Sequence, residues 1–175
     1  DRYAGYENIV NVYQINRAPN TVLTVDPVLY DALGAMEASG ARYLYLGPVY
    51  DEYVSLMQCE NDAYAAARDP RRSEDARAYI ETLLSYCTDS AMISLELLGD
   101  NQICLHVADE YLALAQAYEF EALIDFGWLR NAFVIDAVAD TLASAGFVLG
   151  NIASYDGFTR NLDTIGDEDY AYNYF

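Results

Sequence analysis

Few side chains in this chain could do chemistry, and their spacing narrows what that chemistry could be. His106 is the one histidine, and it alternates with Ile103, Leu105 and Val107 in a stretch that reads as a strand. There a histidine is a surface-facing or hydrogen-bonded side chain far more often than a metal ligand. Cys59, Cys87 and Cys104 are widely spaced and lack the C-x-x-C pairing of zinc or redox sites, so they read as buried thiols. Whether two of them could bridge depends on the separation of their Cα atoms. The aromatic run from Tyr43 to Tyr53 could stack on a flat ligand, although packing in a core is the commoner use of such residues. The most informative junction is Ala122-Leu123-Ile124 meeting Asp125-Phe126-Gly127: an apolar strand turns at a glycine into a long helical pattern that carries Asp136 and Asp140.

The elements that must position these residues are legible from caps and periodicity. Asp26-Pro27 starts a helix over 27–39, with Leu29, Leu33 and Met36 at helical spacing and Gly40 as its stop. Arg68-Asp69-Pro70-Arg71-Arg72 is a polar break. Ser73, followed by Glu74 and Asp75, opens a second helix whose buried stripe is expected at Ile80, Leu83, Leu84 and Cys87. Residues 92–98 and 102–107 form a hairpin around Gly99-Asp100-Asn101. A helix over 109–118 follows, with Leu112, Leu114, Ala115 and Phe120 facing inward. The helix from Trp128 closes at Gly146, and strands over 147–153 and 158–162 flank the turn Tyr155-Asp156-Gly157. Helices mixed with antiparallel hairpins define an α+β fold, read as one domain over 1–175 with a poorly ordered acidic, Tyr-rich tail over 163–175.

Composition excludes some partners. Net charge is −19, from 28 acidic residues against nine basic ones, all of them Arg. A field of that sign repels phosphate backbones and anionic headgroups, so no nucleic-acid partner is expected. No apolar run approaches the ~20 residues that span a bilayer. The amino-terminal residues Asp1-Arg2-Tyr3-Ala4 carry no signal-peptide pattern, as in a mature or trimmed protein. With 175 residues, 54% of them apolar, the chain can fill one core without a metal or disulfide.

Four stretches in order resemble the FAD:protein FMN transferase (ApbE) family. Val12-Tyr13-Gln14-Ile15-Asn16-Arg17-Ala18 is similar to the family's S-x-I-N-R-A, with Val25-Asp26-Pro27 in place of its V-S-P-E helix start. Gly40 to Val49 is similar to G-x-F-x-x-T-V-G-P-L. Asp125 to Asp136 aligns without gaps on the signature D-L-G-G-I-A-K-G-Y-A-V-D, and Asn151 to Gly157 falls where the family writes A-L-V-N-x-G-G-D. The likeness spans nearly the whole chain at low identity.

The resemblance implies an ApbE-like antiparallel or mixed sheet with packed helices, and transfer of FMN from FAD to a Thr or Ser of a flavinylation target protein. It implies magnesium, an extracytoplasmic location, and a flavin site drawn from Asp125, Gly127, Arg130, Asn131, Asp136 and Gly157. Breaking a pyrophosphate requires charge neutralisation and an aligned hydroxyl, which glycine-rich turns at a helix start and a metal ion supply. Here Trp128 and Ala132 replace signature glycines, so the indole is expected to crowd the phosphate position. Arg130 and Asn131 replace the Ala-Lys pair, and the planar fork of Arg130 still suits a diphosphate. The resemblance also implies an N-terminal strand and a C-terminal metal-binding Asp/Thr pair that these residues do not include. Two readings follow: an FMN transferase, or a binding or scaffold protein on the same fold.

Overall fold

Proline 48 decides how the first part of the chain is assembled. In the computed structural model, which describes residues 2–58 and 67–162, the chain forms two compact units, Asp1–Gly127 and Trp128–Phe175. Cys59 and the 163–175 tail lie outside the described residues. The first unit begins with α1 (Val12–Arg17), opened by a capping box: Asn11 Oδ1 accepts from the N–H groups of Tyr13 and Gln14, and Gln14 Oε1 accepts from the Asn11 N–H. After β1 (Val22–Thr24), α2 (Pro27–Ala38) starts as its Asp-Pro signal requires, with Asp26 accepting from the Val28 N–H at 2.9 Å. The aromatic run is a helix, α3 (Tyr43–Met57), with Pro48 inside it.

A proline in a helix leaves the carbonyl four residues earlier without its donor. Here that carbonyl belongs to Leu44, and it accepts from the Asp125 N–H at 2.9 Å. The segment around Asp125 is therefore not the strand that its sequence suggests. Among the described residues it has no ladder partner, and it is held by side chain and helix instead. Asn16, buried on α1, accepts at Oδ1 from the N–H groups of Leu123 (3.1 Å) and Ile124 (2.9 Å), and its Nδ2 donates to the Ile124 carbonyl (3.0 Å). One carboxamide thus replaces a neighbouring strand, since it offers the donor and acceptor of a peptide group.

The next helix, α4 (Glu74–Thr88), is capped by Ser73, and its buried residues are Tyr79, Leu83 and Cys87. The expected stripe is corrected: Leu84 is exposed and Tyr79 takes the inner place, because Tyr79, Leu83 and Cys87 follow one another at i, i+4. Strands β2 (Ile93–Gly99) and β3 (Gln102–Val107) form the hairpin, whose loop is the two residues Asp100 and Asn101, both at positive φ. A bulge between Leu97 and Gly99 absorbs the extra residue. β1 pairs with β3, giving an antiparallel sheet of order β1-β3-β2. β1 carries too few residues for a periodic signal and is not legible in sequence. The unit continues with α5 (Asp109–Ala117), which buries Tyr111 and Ala115 and leaves Leu112 and Leu114 half-buried.

β2 is an edge strand whose outward groups are met by side chains. Arg42 Nη2 donates to the Ile93 carbonyl (2.8 Å), the Leu95 N–H donates to the Tyr45 hydroxyl (2.8 Å) and the Gly99 N–H to the Tyr30 hydroxyl (3.1 Å). The Tyr45 hydroxyl in turn donates to Glu37 at 2.7 Å, and burial with this carboxylate pushes its pKa up. Arg42 adopts φ +54° to start α3, lies over the Tyr45 ring and bonds the Cys87 carbonyl through Nε.

A 3₁₀ turn, Gly127–Leu129, carries the chain from the first unit into the second, where α6 (Arg130–Ser144) packs on the hairpin β4 (Asn151–Ala153) and β5 (Thr159–Asn161). These strands are shorter than expected at the β4 end. Gly146 and Gly150, both at positive φ, bracket Phe147 to Leu149 and keep them out of the ladder. Helices and antiparallel sheets make the fold α+β.

Two substitutions test this account. Asn16→Ala is expected to cost about 3 kcal/mol, read from the urea midpoint, because it strands three buried backbone groups. Tyr111 is fully buried and its hydroxyl has no hydrogen-bond partner among the described residues. Tyr111→Phe should leave the melting temperature unchanged or higher.

Candidate functional site

The residues carried by the signature resemblance divide between the units. Asp125 and Gly127 belong to the first; Arg130, Asn131, Asp136 and Gly157 belong to the second. Asp125 is fixed by its backbone bond to Leu44, and its carboxylate faces Arg2, whose Nη1 lies 3.3 Å away and whose Nη2 reaches Asp51 at 2.7 Å. Gly127 takes φ +55°, a left-handed conformation costly for a residue with a Cβ, and this lets the chain leave Phe126 for the 3₁₀ turn.

The first unit also holds a cleft of about 590 Å³ whose lining includes Arg2, Arg17, Asp51, Glu52, Glu119 and Glu121. Arg17 pairs with Glu121 at 3.0 Å and lies over the Tyr13 ring, while Arg2 is held as above. Four carboxylates against two engaged guanidiniums disfavour a phosphate in this cleft.

In the second unit, Asn131 on the first turn of α6 donates through Nδ2 to Asp156 Oδ2 at 2.9 Å. The Ser154 hydroxyl donates to the other carboxylate oxygen of Asp156, and Gly157 follows at φ +94°, turning β4 into β5. The Asp156 carboxyl is held below its usual range, first by the Ser154 bond, then by Asn131 and the charge of Arg130. No side chain caps the start of α6, and Asp156 is tied to its first turn through the Asn131 amide. Asp136 lies farther along α6 and serves the hairpin: Arg160 on β5 bonds Asp136 at 3.0 Å and Asp140 at 2.7 Å. Of the second-unit set, the structure therefore gathers Arg130, Asn131 and Gly157 around Asp156, while Asp136 is taken up by Arg160.

Trp128 stands three-quarters exposed, its ring stacked on Phe158 with centroids 6.4 Å apart and planes 26° from parallel. The indole is thus offered to solvent as a flat face rather than packed inward. Asp156, Ser154, Phe158 and Arg160 are the residues that sequence reasoning missed. The one available signal was the i, i+4 pair of Asp136 and Asp140, which calls for a basic partner that sequence distance concealed.

His106, half-exposed on β3, places Nε2 2.8 Å from Glu96 Oε2, the hydrogen-bonded surface role that its alternation suggests. Among the described residues no three His, Cys, Asp or Glu side chains converge as a metal site, and no helix is long and apolar enough to cross a membrane. No family model matches the chain, and no curated protein or solved structure matches it either.

The Asp156 carboxylate holds the Asn131 amide and lies in the field of Arg130, two groups that an external anion would use at the start of α6. Asp156→Asn is expected to raise affinity for inorganic pyrophosphate on the order of tenfold in calorimetric titration, since it removes the competing charge.

Proposed function

We propose that this chain is a flavin-nucleotide-binding protein of the FAD:protein FMN transferase kind, acting on FAD and on a Thr or Ser of a partner protein. The observation that carries the reading is the exposed Trp128–Phe158 stack beside Arg130 and Asn131 at the uncapped start of α6. A flat ring can lie on the indole face, while the guanidinium fork and the side-chain amide reach phosphate oxygens. Arg130 and Asn131 stand at positions that the signature resemblance marks, which gives the reading its second support, whereas Trp128 replaces a signature glycine and Phe158 lies outside it.

FAD would be a substrate here. Its pyrophosphate supplies the bond that breaks: the acceptor hydroxyl attacks the FMN phosphorus, loses its proton, and AMP leaves. Trp128 and Phe158 would orient the ring system, and Arg130 would offset charge on the phosphates. With no carboxylate cluster for magnesium among the described residues, no step is assigned to a metal.

A second reading, binding without transfer, is favoured by Asp156. That carboxylate already engages the Asn131 amide and lies in the field of Arg130, so it competes with a phosphate for both unless the β4–β5 turn yields them.

Titration with FAD, with and without magnesium, followed by flavin fluorescence and melting temperature, tests both readings. Saturable binding with AMP release in the presence of a Thr-bearing acceptor supports the transferase. Binding without AMP release supports the second reading, and no response at high micromolar FAD ends both. Trp128→Ala should weaken FAD binding about tenfold, the loss typical of a stacked ring. Tighter binding by this variant would show that the indole obstructs the site, as the bare sequence suggests.

A further inference from the structure

The outer face of the three-stranded sheet carries an arrangement that the flavin reading does not use. Ile103, Leu105 and Val107 of β3 point into the core, so Cys104 and His106 lie on the opposite face. The register sets Cys104 directly between Val22 on β1 and Glu96 on β2. Cys104 Sγ lies 3.8 Å from His106 Nδ1, and His106 Nε2 lies 2.8 Å from Glu96 Oε2. An ionised carboxylate can only accept, so the Glu96 bond places the imidazole proton on Nε2 and leaves Nδ1 as the acceptor facing the thiol. A nucleophile, a base within reach and a third group orienting that base recur wherever a thiol is activated.

We propose that Cys104, His106 and Glu96 form a thiol–imidazole–carboxylate relay, and that Cys104 exchanges with small disulfides. Nδ1 takes the thiol proton as sulfur attacks one sulfur of the disulfide. A protein–S–S–R bond forms, the original S–S bond breaks, and the departing thiolate recovers the proton from the imidazolium. Cys104 is oxidised and the small disulfide is reduced, with no further reagent. Exchange suits this place better than acyl transfer. β3 is the central strand, its register to β2 runs along its length, and on the other side β1 and the Asn20 side chain take up Ile103 and Val107, so no cluster of free N–H groups faces Cys104 among the described residues, whereas disulfide exchange develops no oxyanion.

Burial and the Glu96 carboxylate raise the thiol pKa, so at neutral pH an unassisted Cys104 would stay protonated; a base at Nδ1 meets that need. Among the described residues, the titratable groups on this part of the sheet face are Cys104, His106 and Glu96, and β1 contributes only the uncharged Val22 and Thr24. Cys104 itself is only 5% exposed, and its cover includes Val22 alongside the partly open Glu96 and His106 side chains. Cys87 is the internal contrast: fully buried, donating to the Leu84 carbonyl, with its pKa pushed up to about 11 and no imidazole beside it.

The test is site-resolved mass spectrometry of the full chain reacting with an aromatic disulfide between pH 6 and 9. Cys104 is expected to react at least about tenfold faster than Cys87 at pH 7. His106→Gln should slow Cys104 by about a hundredfold at pH 7 and make its rate climb with pH through the range, while Cys87 is unaffected. Glu96→Gln should slow Cys104 several-fold without that change of profile, as a positioning residue would. A variant that unfolds would show itself by a fast Cys87. Equal rates at Cys104 and Cys87 in the native protein would overturn the proposal, and so would a Cys104 pH profile that His106→Gln leaves unchanged.

Discussion

The first unit depends on a missing hydrogen. Pro48 has no N–H to give, so the Leu44 carbonyl looks outward from α3 and takes the Asp125 N–H instead. Asn16 completes the clamp with three hydrogen bonds to Leu123 and Ile124. A segment with no strand neighbour is thereby fixed in the interior, its polar groups satisfied by one side chain and one helix defect. Gly47 belongs to the same device: a Cβ built there would stand 3.7 Å from the Asp125 carbonyl, so the backbone of α3 and this segment run close together.

Asn20 works in a similar way nearby. Its backbone N–H bonds the Leu105 carbonyl, and its side chain brackets the backbone of Val107, donating to the carbonyl and accepting from the N–H, each at 2.9 Å. Asn16 and Asn20 thus act as surrogate backbone for elements 87 to 108 residues away. Such contacts tie the amino-terminal helix to the sheet and to the Asp125 segment with few apolar residues of its own. They also explain why the polar Asn16 is tolerated at core depth, while Asn11 is satisfied locally by its capping bonds and the Ala4 carbonyl.

Caps and turns were the most legible parts of the chain. Asp26-Pro27, Ser73 and the Asp100-Asn101 loop define their elements locally, and local chemistry is what a sequence states openly. The 122–126 segment reads as a strand because apolar residues precede a turn; its true partners, Asn16 and Leu44, are distant and one of them is a carbonyl exposed by a proline. Leu84 reads as core because hydrophobicity alone cannot fix the centre of a helical stripe, which here follows the large Tyr79 ring stacked on Tyr118. At the candidate site, Asn131 and Arg130 were named from the signature, whereas the anion they address, Asp156, comes from a hairpin turn whose closeness to α6 only the fold supplies.

The tyrosine and arginine contacts along β2 bear on assembly. A strand that would dock there from another molecule must displace Arg42 from Ile93, Tyr45 from Leu95 and Tyr30 from Gly99 before it can bond in register. The opposite margin, β1, offers only three residues to an incoming chain. Extension of the sheet by strand addition is obstructed on one side and too brief to hold on the other, so this unit is guarded against edge-to-edge polymerisation by side chains that also build its core.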